Sequence, residues 1–296
     1  MRLLAILTAA LLAACSADAP QELEIAGNTM GTQYSVKFGA EGLNAPALQA
    51  EIETTLADVN GMMSTYLSES EISRFNASRS TDWLTVSGAF CLSVEKALEL
   101  SAYTDGAFDI TVAPLVNLWG FGPGEMIEEP PAEADIAAML QSVGYDKLHT
   151  DCLQPALRKD VAELMLDMSA LGKGFAADRI AALLDRKGIK DYLIEVGGEL
   201  RLRGHNIKGE RWAIGIEMPL TYERRPHTVV RLTDVALATS GDYRNFFVAG
   251  GQHYSHTIDT RTGKPVTHAL ASVTVLDQSG YRADALATAL LVMGPE

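Results

Sequence analysis

The spacing of hydrophobic residues changes along the chain, and this change restricts the fold more than any other feature of the sequence. In residues 46–63 apolar side chains recur every three or four positions, as at Leu48, Ile52 and Leu56, which predicts an amphipathic helix. Further helices are expected at residues 89–103, 134–142, 172–186 and 283–293. Strands are expected at residues 33–38, 192–196, 199–203, 212–216, 229–232, 256–258 and 272–276.

Helices dominate the first part of this order, and strands linked as hairpins dominate the second. No regular alternation of strand and helix occurs, so a parallel sheet is not expected. The sequence therefore predicts an α+β fold: a single continuous domain of largely antiparallel sheets flanked by helices, with two lobes as a variant of the same architecture. Residues 120–131 are rich in Gly and Pro and are expected to form a loop.

Residues 1–15 have the features of a lipoprotein signal peptide. Arg2 supplies a positive charge, and residues 3–14 form an apolar run that is too short to span a bilayer. The sequence Leu12-Ala13-Ala14-Cys15 matches a lipobox, in which the cysteine becomes lipidated. We therefore expect a lipid anchor on the periplasmic or outer side of a bacterial membrane, followed by a short tether at 16–26. An ordinary signal peptide that contains a cysteine by chance is the alternative.

The charge balance restricts the partners of the protein. The chain has 24 basic and 38 acidic side chains, a net charge of −14, which argues against nucleic-acid binding because that requires positive charge. An anionic ligand must instead be bound locally, by a metal ion, a Lys or Arg, or backbone N–H groups. Two cysteines follow the lipobox, Cys91 and Cys152. They could pair outside the cytoplasm, but a role as small buried hydrophobic residues is expected.

Two short segments have the chemistry of a phosphate and metal site. Gly172-Lys173-Gly174 opens a predicted helix, where free N–H groups and the helix dipole favour an anion, although the segment lacks the complete P-loop pattern. Asp284 and Thr288 lie four residues apart on one helix face and offer hard oxygen ligands of the kind that Mg²⁺ accepts. Taken alone, each also fits an ordinary capped or solvated helix.

Other candidates are equally ambiguous when taken singly. His256 could be a base or a structural histidine within its predicted strand, and Asp109 could simply cap a turn before an apolar strand. Met30 and Tyr66 could be core residues. Gly197-Gly198 fits either a hairpin turn or a close approach of the backbone to a flat ligand. The order in which these segments occur is more specific than any one of them.

Taken together, the segments resemble the FAD:protein FMN transferases, the ApbE family, first named as thiamine-biosynthesis lipoproteins. The resemblance runs from about Met30 to the last residue. It is carried above all by three long stretches, GAFDITVAPLVNLWGFG at 106–122, YLIEVGGEL at 192–200 and SHTIDTRTGKP at 255–265. It implies a transferase domain at 27–296 that moves the FMN part of FAD onto a Thr or Ser hydroxyl of an acceptor protein and releases AMP.

The resemblance also implies site residues. The residues that it implies for FAD binding are Met30, Tyr66, Ala107, Phe108, Asp109, Asp167, Lys173 and Ile258. A Mg²⁺ site would use the Ala170 carbonyl with Asp284 and Thr288, and His256 would be the catalytic base. The implied acceptors are flavin-carrying subunits of membrane redox complexes.

Two departures from the family pattern qualify these expectations. Ala287 stands where some relatives have Asp, which implies weaker metal binding. The sequence ends at Glu296, whereas relatives usually continue, so we expect the usual C-terminal end to be lacking. Hydrolysis of FAD to FMN and AMP is the nearest alternative activity, and a non-catalytic flavin-binding lipoprotein is a more distant one. Thiamine synthesis has only the historical name in its favour.

Overall fold

The computed structural model describes residues 21–40, 43–124, 126–243 and 245–295. The expected signal peptide, Cys15 and the first part of the expected tether lie outside these ranges. The helices are α1 (Ala45–Met63), α2 (Glu71–Ala77), α3 (Gly88–Tyr103), α4 (Ala113–Leu118), α5 (Glu133–Leu140), α6 (Ser169–Arg186) and α7 (Gly280–Met293). Within those ranges no helix combines the length and apolar character needed to cross a bilayer.

The strands are short, apart from the first two. They are β1 (Gln21–Thr29), β2 (Thr32–Ala40), β3 (Leu84–Thr85), β4 (Leu148–Asp151), β5 (Ala156–Lys159), β6 (Tyr192–Val196), β7 (Glu199–Arg203), β8 (Trp212–Glu217), β9 (Pro226–Leu232), β10 (Val235–Gly241), β11 (Phe246–Ala249), β12 (Gln252–Ser255), β13 (Ile258–Asp259), β14 (Lys264–Pro265) and β15 (Ser272–Asp277).

A six-stranded sheet organises the molecule. Its order is β1-β2-β6-β7-β10-β15, and every neighbouring pair is antiparallel. Helix α6 packs on β6 and β7, and α7 packs on β10 and β15, while α6 and α7 pack on each other. The β8–β9 hairpin packs against β7 and β10 through a separate hydrophobic cluster that includes Leu202, Trp212 and Ile214. These layers confirm the α+β prediction.

The predicted helices are all present, with α6 beginning at Ser169, three residues before the predicted start. Three expectations are wrong. Residues 21–26, expected as tether, belong to β1, which pairs with β2 along its full length because its alternating side chains bury Ile25 against the core. The strand expected at 256–258 is interrupted, since His256 lies in a bend between β12 and β13. The apolar run after Asp109 is a short 3-10 turn followed by α4, rather than a strand.

The cysteines also depart from expectation. Cys91 on α3 and Cys152 after β4 form a disulfide across a separation of 61 residues. Cys91 is fully buried, as expected, but its sulfur is bonded rather than packed as a free thiol. In the chain-entropy account, closing a loop of this length stabilises a fold by about 4 kcal/mol. The prediction failed because pairing depends on how α3 lies against the small β3-β5-β4 sheet.

Helices α6 and α7 cross at two glycines. A Cβ atom on Gly174 would collide with the Gly280 carbonyl group and lie 2.9 Å from the Cβ of Asp284. The side chain of Asp178, one turn further along α6, accepts hydrogen bonds from the backbone N–H groups of Gly280 and Tyr281 at 2.9 and 3.1 Å. The start of α7 is therefore fixed on α6 by close backbone contact and by a carboxylate that caps its free N–H groups.

We expect Gly174→Ala to destabilise the protein by about 1–3 kcal/mol, because the added methyl group would force the two helices apart. Gly172→Ala is the matched control in the same helix: its Cβ would meet no atom within 4 Å, so the helix preference for alanine should leave stability unchanged or raised. Urea unfolding of both variants measures this difference. Equal stability of Gly174→Ala and the wild type would contradict the close packing.

Candidate active site

A cavity of about 450 Å³ opens beside the α6–α7 crossing, within the size range of small-molecule sites. With the exception of Met30, every site residue expected from the sequence lines it. These residues are Tyr66, Ala107, Phe108, Asp109, Asp167, Ala170, Lys173, His256, Ile258, Asp284 and Thr288. Met30 lines an adjoining cavity of about 760 Å³, whose walls share Tyr66, Asp167 and Lys173 with the first. The structure thus brings together residues that lie far apart in the sequence.

Ion pairs hold α6 against strand β7. Leu200 and Leu202 share one side of β7, so the charged residues that alternate with them point to the other side, towards α6. The three pairs are Lys173–Glu199, Asp178–Arg201 and Asp185–Arg203. The first of them faces the cavity and is largely buried, whereas the third is exposed and contributes little to stability. The pattern fixes Lys173 at the floor of the cavity.

Lys173, Glu199 and Asp284 form a buried charged cluster at the cavity, with two acidic groups and one basic group. Glu199 is 3% exposed and Asp284 is 2% exposed, and Lys173 is their shared cation. Burial raises the pKa of both carboxyl groups, the Asp284 charge raises that of Glu199 further, and Lys173 opposes both shifts. Burial alone would lower the pKa of Lys173, but the two carboxylates outweigh it and the net shift is upward. The cluster therefore favours uptake of a further positive charge.

Asp284 is oriented by the start of α6. Its Oδ2 accepts a hydrogen bond of 3.0 Å from the backbone N–H of Gly174. In a regular helix that N–H would donate to the carbonyl of Ala170, so the carboxylate and this carbonyl lie next to the same hydrogen. Thr288 lies one turn further along α7, with its hydroxyl 3.1 Å from that of Ser240. The three residues expected to supply the metal donors all line the cavity.

The donors suit a hard cation. No group of three or more His, Cys, Asp or Glu side chains placed for metal binding occurs among the residues that the structure describes. Mg²⁺, however, is often held by one or two carboxylates with its remaining ligands from water and substrate phosphates. Ala287 of α7 is fully buried against β10 and has no side-chain oxygen to offer. One carboxylate, one hydroxyl and one carbonyl beside a negatively charged cluster fit such a site.

His256 is arranged as a proton acceptor. Its Nδ1 lies 3.1 Å from the Asn245 carbonyl oxygen. Because a carbonyl can only accept, Nδ1 carries the hydrogen and Nε2 has a free lone pair. Burial lowers the pKa of His256, as does the charge of Lys173, while the Asn245 carbonyl and Asp242 oppose the shift. The imidazole is therefore neutral in the neutral pH range, the state that a general base requires.

Aromatic packing holds the segment that carries His256. The β11–β12 hairpin lies immediately before it. Tyr254 of this hairpin stacks on Trp119, the residue that follows α4, with 5.6 Å between the ring centroids, and on Phe247 of the same hairpin, with 5.0 Å between the centroids. On the other side, the Trp119 indole N–H donates to the Gly263 carbonyl beside β14. His256 thus lies between two hairpins that both contact Trp119, at the end of α4.

Two of the expected FAD-binding carboxylates also have structural partners. Asp109 accepts hydrogen bonds from the backbone and hydroxyl of Thr111, both at 2.8 Å, and from the backbone N–H of Tyr145 at 2.9 Å. Asp167 accepts from the backbone N–H of Ser169 at 2.7 Å. This bond occupies one of the free N–H groups at the start of α6, so an anion there would depend more on Lys173 than on the helix terminus alone.

Met30 and Tyr66 lie at the rim. Met30 occupies the turn between β1 and β2 with a φ of +50°, a left-handed conformation that is rare for a large non-glycine residue. Tyr66 is 72% exposed although it lines the cavity, so its ring is available to a flat ligand. Tyr66 is therefore not a core residue, whereas Met30 is partly buried and packs against the edge of the main core. A strained backbone and an exposed aromatic ring are common at ligand sites.

Glu199 is the residue that the sequence interpretation missed. It was part of the distinctive stretch at 192–200, but nothing in its own neighbourhood marked it as functional. The available signal was the Gly197-Gly198 turn followed by a strand with alternating Leu and charged residues, which places Glu199 on the polar face of β7. That α6 and Lys173 cover this face depends on the tertiary fold.

Comparison with known proteins identifies the family of the chain. The family model described as the ApbE family matches residues 30–296. The chain is 43% identical to the FAD:protein FMN transferase of Vibrio cholerae over 99% of its own length and 88% of that protein. It is 40% identical to the Escherichia coli K12 protein of the same name, over 91% of this chain and 78% of that one.

Solved structures give the same result. The flavin transferase ApbE from Vibrio cholerae superposes with a TM-score of 0.85 at 41% identity, covering 94% of this chain and 88% of that one. The apo form of Pseudomonas stutzeri flavinyl transferase ApbE gives 0.85 at 39% identity, covering 94% and 86%. These matches confirm the resemblance found in the sequence, and the chain belongs to the ApbE family.

Proposed function

We propose that this chain is a FAD:protein FMN transferase, an enzyme that moves the FMN part of FAD onto a Thr or Ser hydroxyl of an acceptor protein. Its relatives carry this name at about 40% identity over most of their length. The observation that carries the proposal is the convergence in one cavity of a neutral histidine, a lysine and a set of hard oxygen donors. These are the groups needed to bind a pyrophosphate and to activate a hydroxyl.

In this reaction the acceptor hydroxyl gives its proton to Nε2 of His256 as its oxygen attacks the phosphorus on the flavin side. A new phosphoester bond forms, the bond between the two phosphates breaks, and AMP leaves. Lys173 would bind the pyrophosphate and offset the charge that develops during transfer. A Mg²⁺ ion held by Ala170, Asp284 and Thr288 would polarise the phosphoryl oxygens. Tyr66 and Met30 would bind the rest of FAD at the rim.

The proposal extends to the place where the enzyme works. The lipobox at Cys15 would anchor the chain to a bacterial membrane on the periplasmic side, with flavin-carrying subunits of membrane redox complexes as acceptors. The Cys91–Cys152 disulfide supports an oxidising compartment, because structural disulfides are uncommon in the cytosol. Treating cells with globomycin, an inhibitor of lipoprotein signal cleavage, should make the unprocessed precursor accumulate; unchanged processing would contradict the anchor.

Chromatography of the small products tests the reaction itself. With FAD, Mg²⁺ and an acceptor that carries a target Thr, AMP should form in the same amount as acceptor-bound flavin, with no free FMN. Without the acceptor, little AMP should form. Free FMN that appears in step with AMP, whether or not the acceptor is present, would show instead that water is the natural nucleophile and that the protein is a pyrophosphatase.

The pH profile should report the lowered pKa of His256. Transfer should fall in acidic solution as Nε2 becomes protonated, with a midpoint for this group below the ordinary histidine value of about 6.5. Single-turnover rates with saturating FAD measure this midpoint. The residual activity of His256→Ala is the control and should lack this acidic decline, which separates it from titration of the carboxylates. A midpoint above the ordinary value would contradict the assigned environment.

A further inference from the structure

Two buried carboxylates in the cavity compete for one ammonium group. Lys173 Nζ contacts Glu199 Oε1 directly. Asp284 acts on Lys173 through its charge, but in the described part of the chain it forms no ion pair with it. Asp284 instead accepts the N–H of Gly174. Lys173 is thus paired with Glu199, and Asp284, the expected metal ligand, has no direct contact with the ammonium group.

The surroundings of Lys173 favour this arrangement. A Cβ on Gly197 would lie 3.0 Å from Lys173 Cδ, so the glycine turn before β7 leaves just enough room for the lysine stem to pass towards Glu199. Glu199 Oε2 is buried without a hydrogen-bond partner. An unpaired buried oxygen costs free energy, so the carboxylate is poorly explained as a stabilising element. A role in the site accounts for it better.

We propose that Glu199 is a positioning residue: it holds the ammonium group of Lys173 and so leaves the Asp284 carboxylate available to a divalent cation. This inference rests on the proposed metal site. Without Glu199, Asp284 would be the remaining buried carboxylate within reach of Lys173. The lysine would then neutralise the group that should bind the metal, and the cation would have to displace it.

Glu199→Gln keeps the shape of the side chain and removes its charge. It should weaken divalent-cation binding about tenfold or more, in line with the strength of close buried charge pairs. The double variant Glu199→Gln/Lys173→Met should restore binding to near the wild-type level, because no ammonium remains to compete. Glu195→Gln is the control, since Glu195 is an exposed carboxylate on the neighbouring strand β6. It should bind the cation as the wild type does.

The measurement is Mn²⁺ binding to the FAD-free full chain by electron paramagnetic resonance, with all variants compared at the same mildly alkaline pH. Wild-type affinity in Glu199→Gln would overturn the inference. So would a double variant as weak as the single one, which would mean that Glu199 itself binds the metal. A wild-type protein that binds no Mn²⁺ would overturn it together with the metal site. FMN transfer is measured separately, so failure of the proposed function remains distinguishable.

A crystal structure of Glu199→Gln shows whether Lys173 moves towards Asp284 or whether the substitution changes only the charge of the site. We expect Lys173 Nζ to lie within ion-pair distance of an Asp284 oxygen. A lysine that stays in place beside the substituted amide side chain would show that the carboxylate acts only through its charge, and would overturn the positioning role.

Discussion

Replacing His256 with alanine is expected to lower FMN transfer by about 10²–10⁴-fold, the usual contribution of general base catalysis. FAD binding should persist, because the imidazole acts on the acceptor hydroxyl rather than on the pyrophosphate. The free lone pair on Nε2 and the neutral state of the ring give this prediction its structural basis. Single-turnover transfer and FAD binding by fluorescence quenching together measure the two effects.

His253→Ala is the matched control for this experiment. His253 is exposed on β12, three residues before His256, and its ring contacts Phe246 at 4.1 Å between centroids. Its loss should leave transfer close to the wild-type rate. If His256→Ala transferred FMN as fast as the wild type, His256 would have no part in the mechanism.

Replacing Asp284 is expected to abolish the Mg²⁺-dependent activity. Metal ions at phosphoryl groups contribute several kcal/mol of transition-state stabilisation, so transfer should fall by about 10³-fold or more. Asp284→Asn tests the charge while keeping a side-chain oxygen for the Gly174 N–H, which guards against simple misfolding. Asp284→Ala should have at least as large an effect. Transfer rates across a Mg²⁺ titration measure both variants.

Asp58→Asn provides the control, since Asp58 is an exposed aspartate on α1, away from the cavity. Its Mg²⁺ dependence should match that of the wild type. An Asp284 variant that stayed fully active in the presence of a chelator would remove both Asp284 and the metal from the proposed mechanism.

The spacing of apolar residues predicted the long helices, because each of them buries one face against the core. Helix α1 illustrates this, since Leu48, Ile52, Leu56 and Val59 are all buried as expected. The segment around His256 was harder to interpret, because its short alternating pattern resembles a strand. The chain instead bends at His256, between the β11–β12 and β13–β14 hairpins, and both hairpins contact Trp119. Such long-range contacts leave little trace in local sequence.

For the site, too, local sequence segments were predictive and long-range contacts were not. The resemblance identified the residues that line the cavity, because they lie in distinctive local segments. It did not identify Glu199, whose importance depends on the packing of α6 over β7 and on the path of Lys173 past Gly197. Pairing of Cys91 with Cys152 could not be decided from the sequence for a related reason. Charge balance inside a cluster and the partner of a thiol are both set by elements that meet only in the folded chain.

The central claim is that FMN becomes covalently attached to another protein, and intact-mass spectrometry of the acceptor tests it most directly. Residues 16–296 would be incubated with FAD, Mg²⁺ and an acceptor domain that carries a target Thr. The account predicts that the acceptor gains the mass of one FMN less one water, and that the gain disappears with chelator or when the Thr is replaced. An acceptor of unchanged mass, with FAD consumed to free FMN and AMP, would contradict it.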